Sequence, residues 1–369
     1  MKHIRIEFLS LANYRNYDTL KLDFQPGLNL ITGINGAGKT TILDAIYYLC
    51  NGKSFFTHLD RHIYKFGESF FRISGRFTRQ DNNLELAIVS AVGKKKSIVM
   101  DEKPLKSLVD LMGIIPAFAI APKDILILLD SSQARRKIMD KTISHSDKAY
   151  LAQLLKYNKT LKLRNAYLKE VNKKGLSDST YLDSLDRGLV QPSSYIYNSR
   201  IKHLKELAPH FEALYTELSN NQEKVSLSYQ SQLSSESLET LLKNDLRKDM
   251  MTCKTNSGIH KDDLVISING QPIKKHGSQG QLKSAIIALK LAQMEWMETS
   301  TSVVPIILLD DIFDKLDSQR VKELLSIVCK TGRQVFISDT DNERLLSIFK
   351  ELDMSHNQFI ISEGSIVNG

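Results

Sequence analysis

The chain has 369 residues, 42% of them hydrophobic and 25% charged, and its formal net charge is +8 at pH 7. This composition is typical of a soluble globular protein with a large core, and the positive balance favours nucleic acid as a partner. Three widely spaced cysteines without a CxxC pair argue against a disulfide framework or a zinc site. The first residues are too polar for a signal peptide, and no apolar run approaches the roughly 18 residues of a membrane span, so we expect a cytoplasmic protein with no membrane partner.

Strand patterns dominate the first 105 residues. Apolar and polar residues alternate over residues 1–31, which predicts two or three strands. The stretch "GINGAGKTT" then interrupts the alternation, and "TILDAIYYLCNG" predicts a helix that closes at Gly52. Three later stretches, "FRISGRFTR", "NLELAIVSAV" and "KKKSIVMDEKPL", predict further strands. We therefore expect a β-rich first half with one helix that follows a glycine loop.

A helical period begins near Ala134. Tyr150, Leu154, Tyr157, Leu161 and Leu168 form an apolar stripe at helical spacing, which we expect to be core rather than a recognition surface. The pattern resumes over residues 181–219. Residues 131–215 contain 16 Lys and Arg but 8 Asp and Glu, an excess of 8 that equals the net charge of the whole chain. The positive charge is thus concentrated in one helical insertion.

Strands return after residue 224, first as "KVSLSY" and then as "DLVISING". A second glycine loop, "HGSQGQLKSA", opens another helical pattern, and "VVPIILLDD" has the continuous apolar run of a buried parallel strand. A helix over residues 318–329 and the strand "RQVFIS" complete the pattern. The layout predicts an α/β fold with an N-terminal half over residues 1–125, a basic and mainly helical insertion over 126–250, and a C-terminal half over 251–369.

The stretch "GINGAGKT", from Gly33 to Thr40, matches the phosphate-binding pattern G-x-x-x-x-G-K-[ST] at every fixed position. Its glycines let backbone N–H groups surround a β-phosphate, Lys39 would reach the β- and γ-phosphates, and Thr40 would offer its hydroxyl to Mg²⁺. The helix that follows presents the positive end of its dipole to the anion. We predict that ATP binds, with Mg²⁺, at Gly33, Ile34, Asn35, Gly36, Ala37, Gly38, Lys39, Thr40 and Thr41.

The strand "PIILLDD" is the expected second half of such a site. Asp310 would hold the magnesium together with Thr40, and Asp311 would orient the attacking water as the catalytic carboxylate. Taken alone, this strand could equally be a core strand with a polar end. The glycine loop in the same chain favours nucleotide binding.

The order of these motifs resembles that of the ATP-binding-cassette ATPases, in which a loop of the type LSGGQ precedes the strand that carries the magnesium aspartate. Ser278, Gly280 and Gln281 fit this signature, and Gln279 stands where its first glycine is expected. The sequence Lys315-Leu316-Asp317 resembles the D-loop of the same ATPases.

A finer resemblance is to the RecF family of bacterial recombination and repair proteins, which are related to the SMC heads. It is carried by Arg15-Asn16-Tyr17, the first glycine loop, "GKSF", "GIHKDDL", "GSQGQLK", "PIILLDDIFDKLD" and "QVFISDTD". The resemblance implies an SMC-like ATPase head formed by both ends of the chain, with an inserted helical lobe. It also implies a cytoplasmic DNA-binding ATPase with weak, DNA-stimulated turnover, which works with RecR at gaps and single-/double-strand junctions, promotes RecA loading and supports the SOS response.

The same resemblance assigns the second glycine loop a role in a partner subunit. In these ATPases the signature caps the γ-phosphate of ATP held by the glycine loop of another copy. Ser278, Gln279, Gly280 and Gln281 would therefore act in trans, and ATP would drive formation of a homodimer.

Several residues depart from the family pattern. Asp311 stands where many relatives place glutamate, and its shorter side chain predicts slow turnover. Ser338, Asp339 and Thr340 occupy the neighbourhood of a switch histidine that relatives carry, so sensing of the γ-phosphate there is in doubt.

Other polar residues have a plainer interpretation. We expect His260 to hydrogen-bond structurally rather than to catalyse, and Asp262 and Asp263 to begin a strand rather than hold a metal. Residues 94–96, three lysines in a row, are expected to be a solvated hairpin tip, with phosphate contact as the alternative. By resemblance, Arg15 would lie near the nucleotide or on the head surface.

Two other classes of protein stay open from the sequence. The chain could be a transporter ATPase subunit, although the basic insertion argues against it. It could also be a nuclease-associated head, although only about 50 residues follow Asp317, which are too few for a cleavage domain. The insertion is also too short for the long coiled coil of SMC proteins.

Overall fold

A computed structural model describes residues 2–57, 59–80, 82–175, 179–219, 223–313, 316–330, 332–340, 342–362 and 365–366. Lys315 of the predicted D-loop and Asp341 of "QVFISDTD" lie outside the described residues. The chain forms two compact units, the first made of residues 1–124 and 297–369 and the second of residues 125–296. The boundary expected at 125/126 is next to this division, whereas the one expected at 250/251 falls inside the second unit.

The strands and helices have the following bounds. The strands are β1 (Lys2–Tyr14), β2 (Tyr17–Asp23), β3 (Leu28–Thr32), β4 (Phe70–Arg79), β5 (Asn82–Ala91), β6 (Ser97–Met100), β7 (Lys103–Pro104), β8 (Ala117–Ile120), β9 (Val225–Gln230), β10 (Asp263–Ile268), β11 (Gln271–Pro272), β12 (Val303–Val304), β13 (Ile306–Asp310), β14 (Val335–Asp339), β15 (His356–Ser362) and β16 (Ser365–Ile366). The helices are α1 (Lys39–Asn51), α2 (Leu108–Leu111), α3 (Ile125–Leu129), α4 (Ser132–Ser146), α5 (Lys148–Lys174), α6 (Ser179–Leu218), α7 (Leu238–Thr252), α8 (Ile273–His276), α9 (Gln279–Thr301), α10 (Ser318–Val328) and α11 (Asn342–Glu351).

Two sheets form the first unit. The first sheet has the order β12-β1-β4-β5-β6-β7, with β2 paired to β1, and its neighbours are antiparallel except for β1 and β12. The second has the order β16-β15-β3-β14-β13-β8 and is parallel from β15 to β8. Side chains of both sheets and of α1 meet in one apolar core, as Leu9, Ile46, Ile73 and Leu308 illustrate. The α/β head expected from the two ends of the chain is therefore present.

The parallel sheet brings three distant segments to one edge. Strand β14 lies between β3 and β13, with Asp339 opposite Thr32 and Ser338 opposite Asp310. Since parallel strands present their carboxyl ends at the same edge, the glycine loop after β3 and the carboxylates at the end of β13 meet there. All five residues of β13 are buried, which is why this strand has a continuous apolar run.

The second unit is mainly helical. Helices α5 and α6 pack on each other, and the small antiparallel sheet β11-β10-β9 completes the unit. Tyr150 and Tyr157 belong to its apolar core and Leu168 is fully buried, which confirms the predicted stripe as core. Helix α7 was not predicted, although Ser237 caps its first turn and Leu238 and Leu242 are buried on one face.

Hydrophobic spans of membrane length are absent from the described helices. In that part of the chain, none combines the length and the apolar character needed to cross a bilayer.

Candidate nucleotide-binding site

The glycine loop between β3 and α1 has the geometry of an anion cradle. Gly33, Gly36 and Gly38 have φ values of 147°, 82° and 113°, in the region that favours glycine. Gly38 precedes the first turn of α1, and no side chain caps that turn. The first N–H groups of a helix lack intrahelical partners, and a phosphate at such a helix start can accept from them.

Close contacts explain two of these glycines. A Cβ on Gly33 would lie 2.2 Å from the carbonyl oxygen of Ile361, and a Cβ on Gly38 would lie 2.4 Å from the Tyr17 hydroxyl. Gly36 has open space around its Cα, so only its backbone conformation favours glycine there. Of the two apolar loop residues, Ile34 is exposed and Ala37 is buried.

An open cleft of about 390 Å³ lies over this loop. It is lined by Arg15, Asn16, Asn35, Gly36, Gly38, Lys39, Thr40, Thr41, His62, Asp311, Ser338 and Thr340. The cleft thus brings the glycine loop together with Asp311, more than 270 residues away in sequence. The signature residues Ser278–Gln281 belong to the second unit.

Lys39 is held inside the loop. Its ammonium group donates hydrogen bonds to the carbonyl oxygens of Gly33, at 2.6 Å, and Ile34, at 3.0 Å. Burial lowers the pKa of Lys39, and the nearby carboxylates of Asp311 and Asp310 oppose that shift. The charged form is therefore stabilised by carboxylates and loop carbonyls, which a phosphate can replace.

Thr40 and Asp310, the two residues expected to hold magnesium, are joined by a hydrogen bond. The Thr40 hydroxyl donates to Asp310 Oδ1 at 2.7 Å, and the Ser338 hydroxyl donates to the same oxygen at 2.6 Å. Burial raises the pKa of Asp310, while these two hydrogen bonds favour its ionised form. No group of three or more His, Cys, Asp or Glu side chains in the described chain could hold a metal. One carboxylate beside one hydroxyl fits Mg²⁺, which keeps several waters and binds nucleotide phosphates.

Asp311 is the first residue after β13 and has a left-handed backbone conformation, with φ of 48°. Its N–H donates to the carbonyl oxygen of Ser338 at 3.0 Å, which fixes the turn between β13 and the cleft. Asp311 also lines the cleft. Its carboxylate is therefore placed to interact with a nucleotide or with a water beside it.

A buried carboxylate beneath the loop was missed from the sequence. Asp44, on α1, is fully buried and accepts hydrogen bonds from Tyr14 at 2.9 Å, from Arg15 at 2.7 Å and from Ser54 at 2.8 Å. Arg15 also lines the cleft, so this network joins the cleft wall to α1. The signal was an acidic residue within the apolar pattern "TILDAIYYLC", which has no place in a core unless it is paired.

The loop is tied to its neighbours at Thr41 as well. The Thr41 hydroxyl donates to Asn16 Oδ1 at 2.9 Å, and Asn16 belongs to the segment between β1 and β2. Two residues of the "RNY" stretch, Arg15 and Asn16, thus support the same helix end. Arg15, expected by resemblance near the nucleotide or on the head surface, lies in the cleft wall.

The second glycine loop is the start of helix α9. The Ser278 side chain accepts from the N–H of Gln281 at 3.2 Å, and the Gln281 side chain accepts from the N–H of Ser278 at 2.6 Å. This reciprocal pair is a capping box, and it explains why a serine and a glutamine stand three residues apart. Gln279 and Gly280 form the helix turn between them, so a helix accommodates Gln279 where a glycine was expected.

Asp317 of the predicted D-loop caps helix α10. Its side chain accepts from the N–H of Arg320 at 2.9 Å, and its carboxylate is also 3.3 Å from the guanidinium of Arg320. Asp317 is exposed. Its carboxylate therefore lies at the protein surface, at a helix N-terminus.

The "GIHKDDL" stretch has a structural role in the second unit. Tyr157 hydrogen-bonds one ring nitrogen of His260 at 2.8 Å, and the carbonyl oxygen of Thr255 lies 3.0 Å from the other. Burial lowers the pKa of His260 to about 4, so the ring is neutral at pH 7. With both nitrogens occupied, His260 hydrogen-bonds structurally, as expected.

The neighbouring carboxylates pair with arginines. Asp262 is buried and lies 3.3 Å from the guanidinium of Arg200, while Asp263 receives two hydrogen bonds from Arg135, at 2.8 and 2.9 Å. Asp263 is also the first residue of β10, in agreement with the expected start of a strand.

The hairpin tip is only partly solvated. Lys94 and Lys95 are exposed, but Lys96 donates to the carbonyl oxygen of Gly52 at 2.8 Å and lies 2.9 Å from an Asp60 oxygen. Its ammonium also lies 4.6 Å from the centroid of the Tyr48 ring. Lys96 therefore joins the hairpin to the end of α1, which corrects the expectation for this third lysine.

Comparison with known proteins finds relatives named for DNA replication and repair. The family described as the RecF/RecN/SMC N terminal domain matches residues 5–359. The DNA replication and repair protein RecF of Cytophaga hutchinsonii is 40% identical over 364 residues, covering 98% of this chain and 96% of the relative. RecF of Flavobacterium johnsoniae is also 40% identical, over 352 residues, covering 95% and 98%.

Solved structures agree with this likeness. A recombination mediator protein RecF in complex with ATP, of the RecFOR pathway, is 30% identical with a TM-score of 0.89 and covers 99% of this chain and 97% of its own. An Smc head bound to the winged-helix domain of ScpA has a TM-score of 0.59 at 14% identity, covers 98% and 96%, and shows the shared fold alone. The glycine loop, the adjacent carboxylates at the end of β13, the SMC-like head and these similarities together show that the chain belongs to the RecF family.

Proposed function

We propose that this protein is an ATP-dependent DNA-binding protein of recombinational repair and replication, in which ATP binding drives dimerisation and slow hydrolysis reverses it. The observation that carries the proposal is the joining of the glycine loop to the end of β13, through the 2.7 Å hydrogen bond between Thr40 and Asp310. Its relatives are named for DNA replication and repair, and one solved relative holds ATP.

Nucleotide binding follows from the cradle. The N–H groups at the start of α1 and the ammonium of Lys39 would bind the β- and γ-phosphates, with Lys39 exchanging its loop carbonyls for phosphate oxygens. Thr40 and Asp310 would hold Mg²⁺, which neutralises phosphate charge when bound. The hydrogen bonds that Ser338 and Thr40 donate to Asp310 favour its ionised form.

Hydrolysis would depend on Asp311. Its carboxylate lines the cleft and would orient a water for attack on the γ-phosphorus, so that phosphate and ADP are released. The aspartate side chain is one methylene shorter than glutamate and reaches less far toward that water. We therefore expect weak ATPase activity, stimulated by DNA, that acts as a switch.

The signature would complete the site of a second copy. Helix α9 presents the backbone N–H groups of Gln279 and Gly280 in its uncovered first turn, and the Ser278 hydroxyl, already accepting from Gln281, retains its hydrogen for donation. A γ-phosphate facing this helix end would be stabilised by these donors and by the helix dipole. ATP that binds the dimer more tightly than the monomer shifts the equilibrium toward the dimer.

DNA binding is supported by a lysine face on helix α5. Six exposed lysines, which we call the α5 lysine face, lie within an arc of about 140° at 100° per residue and span about 38 Å of helix. They are Lys148, Lys156, Lys159, Lys162, Lys169 and Lys173. Among the described residues, none of the six has an ion-pair partner. Such a surface suits the phosphates of duplex DNA without reading its sequence.

The cellular role that we propose is based on membership of the RecF family. We propose that the protein binds gapped DNA or single-/double-strand junctions, works with RecR to promote RecA loading, and supports the SOS response. The description of a solved relative as a recombination mediator of the RecFOR pathway favours this role.

The decisive experiment measures mass and DNA binding together. We expect ATP to double the mass in light scattering and to increase binding to gapped duplex DNA in gel shifts without cleavage. A Ser278→Arg variant should lose both effects while its monomer still binds ATP. If ATP leaves the mass unchanged and the variant binds DNA normally with ATP, the proposal fails.

The α5 lysine face has its own test. Replacing Lys159, Lys162 and Lys173 together by Gln should reduce the dependence of log affinity on log salt by about 2 to 3, at roughly 0.9 for each phosphate contact. The matched control replaces three exposed lysines of the first unit, Lys21, Lys53 and Lys103, with the same change in net charge. An equal reduction in both variants would show that only net charge matters.

A further inference from the structure

The side chain of Gln281 is held by a second carboxylate. Its Nε2 donates to Glu223 Oε1 at 2.5 Å, while its Oε1 accepts from the N–H of Ser278 at 2.6 Å. The other oxygen of Glu223 accepts from the hydroxyl of Tyr215. A continuous chain of hydrogen bonds therefore runs from Tyr215 through Glu223 and Gln281 to the first N–H of the signature.

This chain has a fixed direction because of the chemistry of its members. An ionised carboxylate only accepts hydrogen bonds, so Glu223 requires the NH₂ end of the Gln281 amide to face it. The amide oxygen is then directed to Ser278, where an N–H donor needs an acceptor. Without Glu223 the amide could rotate by 180°, which would place two donors against each other and break the capping box.

The anchor of the chain is rigid. Tyr215 is fully buried in the last turns of α6, which is 40 residues long, and Glu223 is itself partly buried before β9. Side chains locked by packing and further hydrogen bonds are what hold a site in its productive geometry. The start of α9 is thus positioned by a residue 58 positions away in sequence.

We propose that Glu223, oriented by Tyr215, is a positioning residue for the phosphate-capping end of helix α9. The inference rests on the proposed function for its consequence, since the donors that it positions are those that would face a partner's γ-phosphate. Glu223 acts by holding the Gln281 amide, which leaves the hydroxyl of Ser278 and the N–H groups of Gln279 and Gly280 in one orientation. It also makes the geometry of the signature depend on the end of α6.

The test compares two substitutions of one residue. Glu223→Ala removes the acceptor, whereas Glu223→Gln retains an amide oxygen for Gln281 and an NH₂ group that can donate to Tyr215. The matched control is Glu217→Ala, because Glu217 is exposed, has no hydrogen-bond partner in the described chain, and gives the same change in charge.

Three measurements are made on the protein with its whole sequence. Hydrogen exchange resolved at Ser278 should be about tenfold faster in Glu223→Ala and unchanged in Glu223→Gln and Glu217→Ala. The dissociation constant of the ATP-dependent dimer should rise about tenfold in Glu223→Ala and less than threefold in the other two. ATP affinity of the monomer should be the same in all of them.

The outcomes separate this inference from the proposed function. If the unaltered protein does not dimerise with ATP, the proposed function fails, while faster exchange at Ser278 in Glu223→Ala still supports the positioning role. If exchange and dimerisation in Glu223→Ala match the unaltered protein, the inference is overturned. It is also overturned if Glu223→Gln is as impaired as Glu223→Ala, because charge rather than amide orientation would then be responsible.

Discussion

Helices α1 and α9 both begin at a glycine-containing loop, but their N-termini are built differently. The start of α1 has Gly38 before it and no side-chain cap, and its only lysine donates to loop carbonyls. The start of α9 has a complete capping box between Ser278 and Gln281. One helix end is therefore left open for a phosphate to satisfy it, whereas the other is stable by itself and can remain folded in a monomer.

This difference shows that glycine content alone does not identify a phosphate cradle. At α1 all three loop glycines have positive φ, and two of them, Gly33 and Gly38, also leave no room for a Cβ. At α9, Gly277 has φ of −75°, an ordinary value, although a Cβ there would lie 2.7 Å from the Ile273 carbonyl oxygen, and the side chains of a serine and a glutamine cap the helix. A self-capped helix end suits a surface that meets an anion only when a second subunit brings it.

The largest expected effect is a loss of ATP affinity caused by a change at the uncapped start of α1. Lys39→Ala should weaken ATP binding about 100-fold, because a charge-assisted contact to phosphate is lost in a partly buried loop. The measurement is titration calorimetry with the monomer, and Lys53→Ala is the control because Lys53 is exposed. Unchanged affinity in Lys39→Ala would show that this loop is not the primary ATP site.

Two alanine variants of the glycine loop separate the effect of close contact from the effect of positive φ. Gly38→Ala combines φ of 113° with a Cβ only 2.4 Å from the Tyr17 hydroxyl, so we expect about 1–3 kcal/mol of strain and at least tenfold weaker ATP binding. Gly36→Ala has positive φ but open space, so it should cost about 1 kcal/mol. Thermal unfolding and ATP titration measure both, and equal effects would contradict the role of close contact.

Lowering the pH should destabilise the second unit, which contains the signature residues Ser278–Gln281. The ring of His203 is buried edge-on to Trp296 at 4.3 Å, neither nitrogen has a partner among the described residues, and burial lowers its pKa to about 4. An unfolded histidine gains its proton near pH 6.5, so the unfolded chain binds more protons between pH 6.5 and 4. Stability is therefore lost as pH falls through that window, by about 1–3 kcal/mol for this residue.

This pH dependence can be followed with the single tryptophan of the chain, Trp296. The urea midpoint from its fluorescence should fall between pH 6.5 and 4, and less steeply in His203→Leu than in the unaltered protein. His276→Leu is the control because His276 is exposed. Identical slopes in the two variants would contradict the role of His203.

The smallest expected effect comes from a change in the capping box at the start of α9. Ser278→Ala should destabilise the first turn of α9 by about 1 kcal/mol, since it removes the acceptor for the Gln281 N–H. We expect ATP-dependent dimerisation to weaken by about fivefold while ATP binding by the monomer is unchanged. Gln279→Ala, one position along, leaves the capping box intact and should retain the unaltered dimer affinity. A loss of monomer ATP binding in Ser278→Ala would contradict the separation between the two helix ends.

Local patterns predicted much of the first helix end. The spacing of Gly33, Gly38, Lys39 and Thr40 indicated the loop, and Gly52 was correctly placed at the end of α1, where its φ is 67°. The apolar run before Asp310 predicted a buried parallel strand, which β13 is. These features depend on neighbours in sequence, because glycine conformation, helix termination and strand burial are local properties of the chain.

The tertiary structure decided which distant residues support each helix end. Asp44 accepts hydrogen bonds from the adjacent Tyr14 and Arg15 and from Ser54, and the Gln281 amide of the capping box donates to Glu223. The sequence also did not predict that the second unit extends to residue 296, because α9 continues as one helix past that boundary. The sequence by itself determined the phosphate loop, the buried strand and the basic insertion. Which buried polar groups pair across the fold was decided only when packing removed water and left each of them the partners that happened to be in reach.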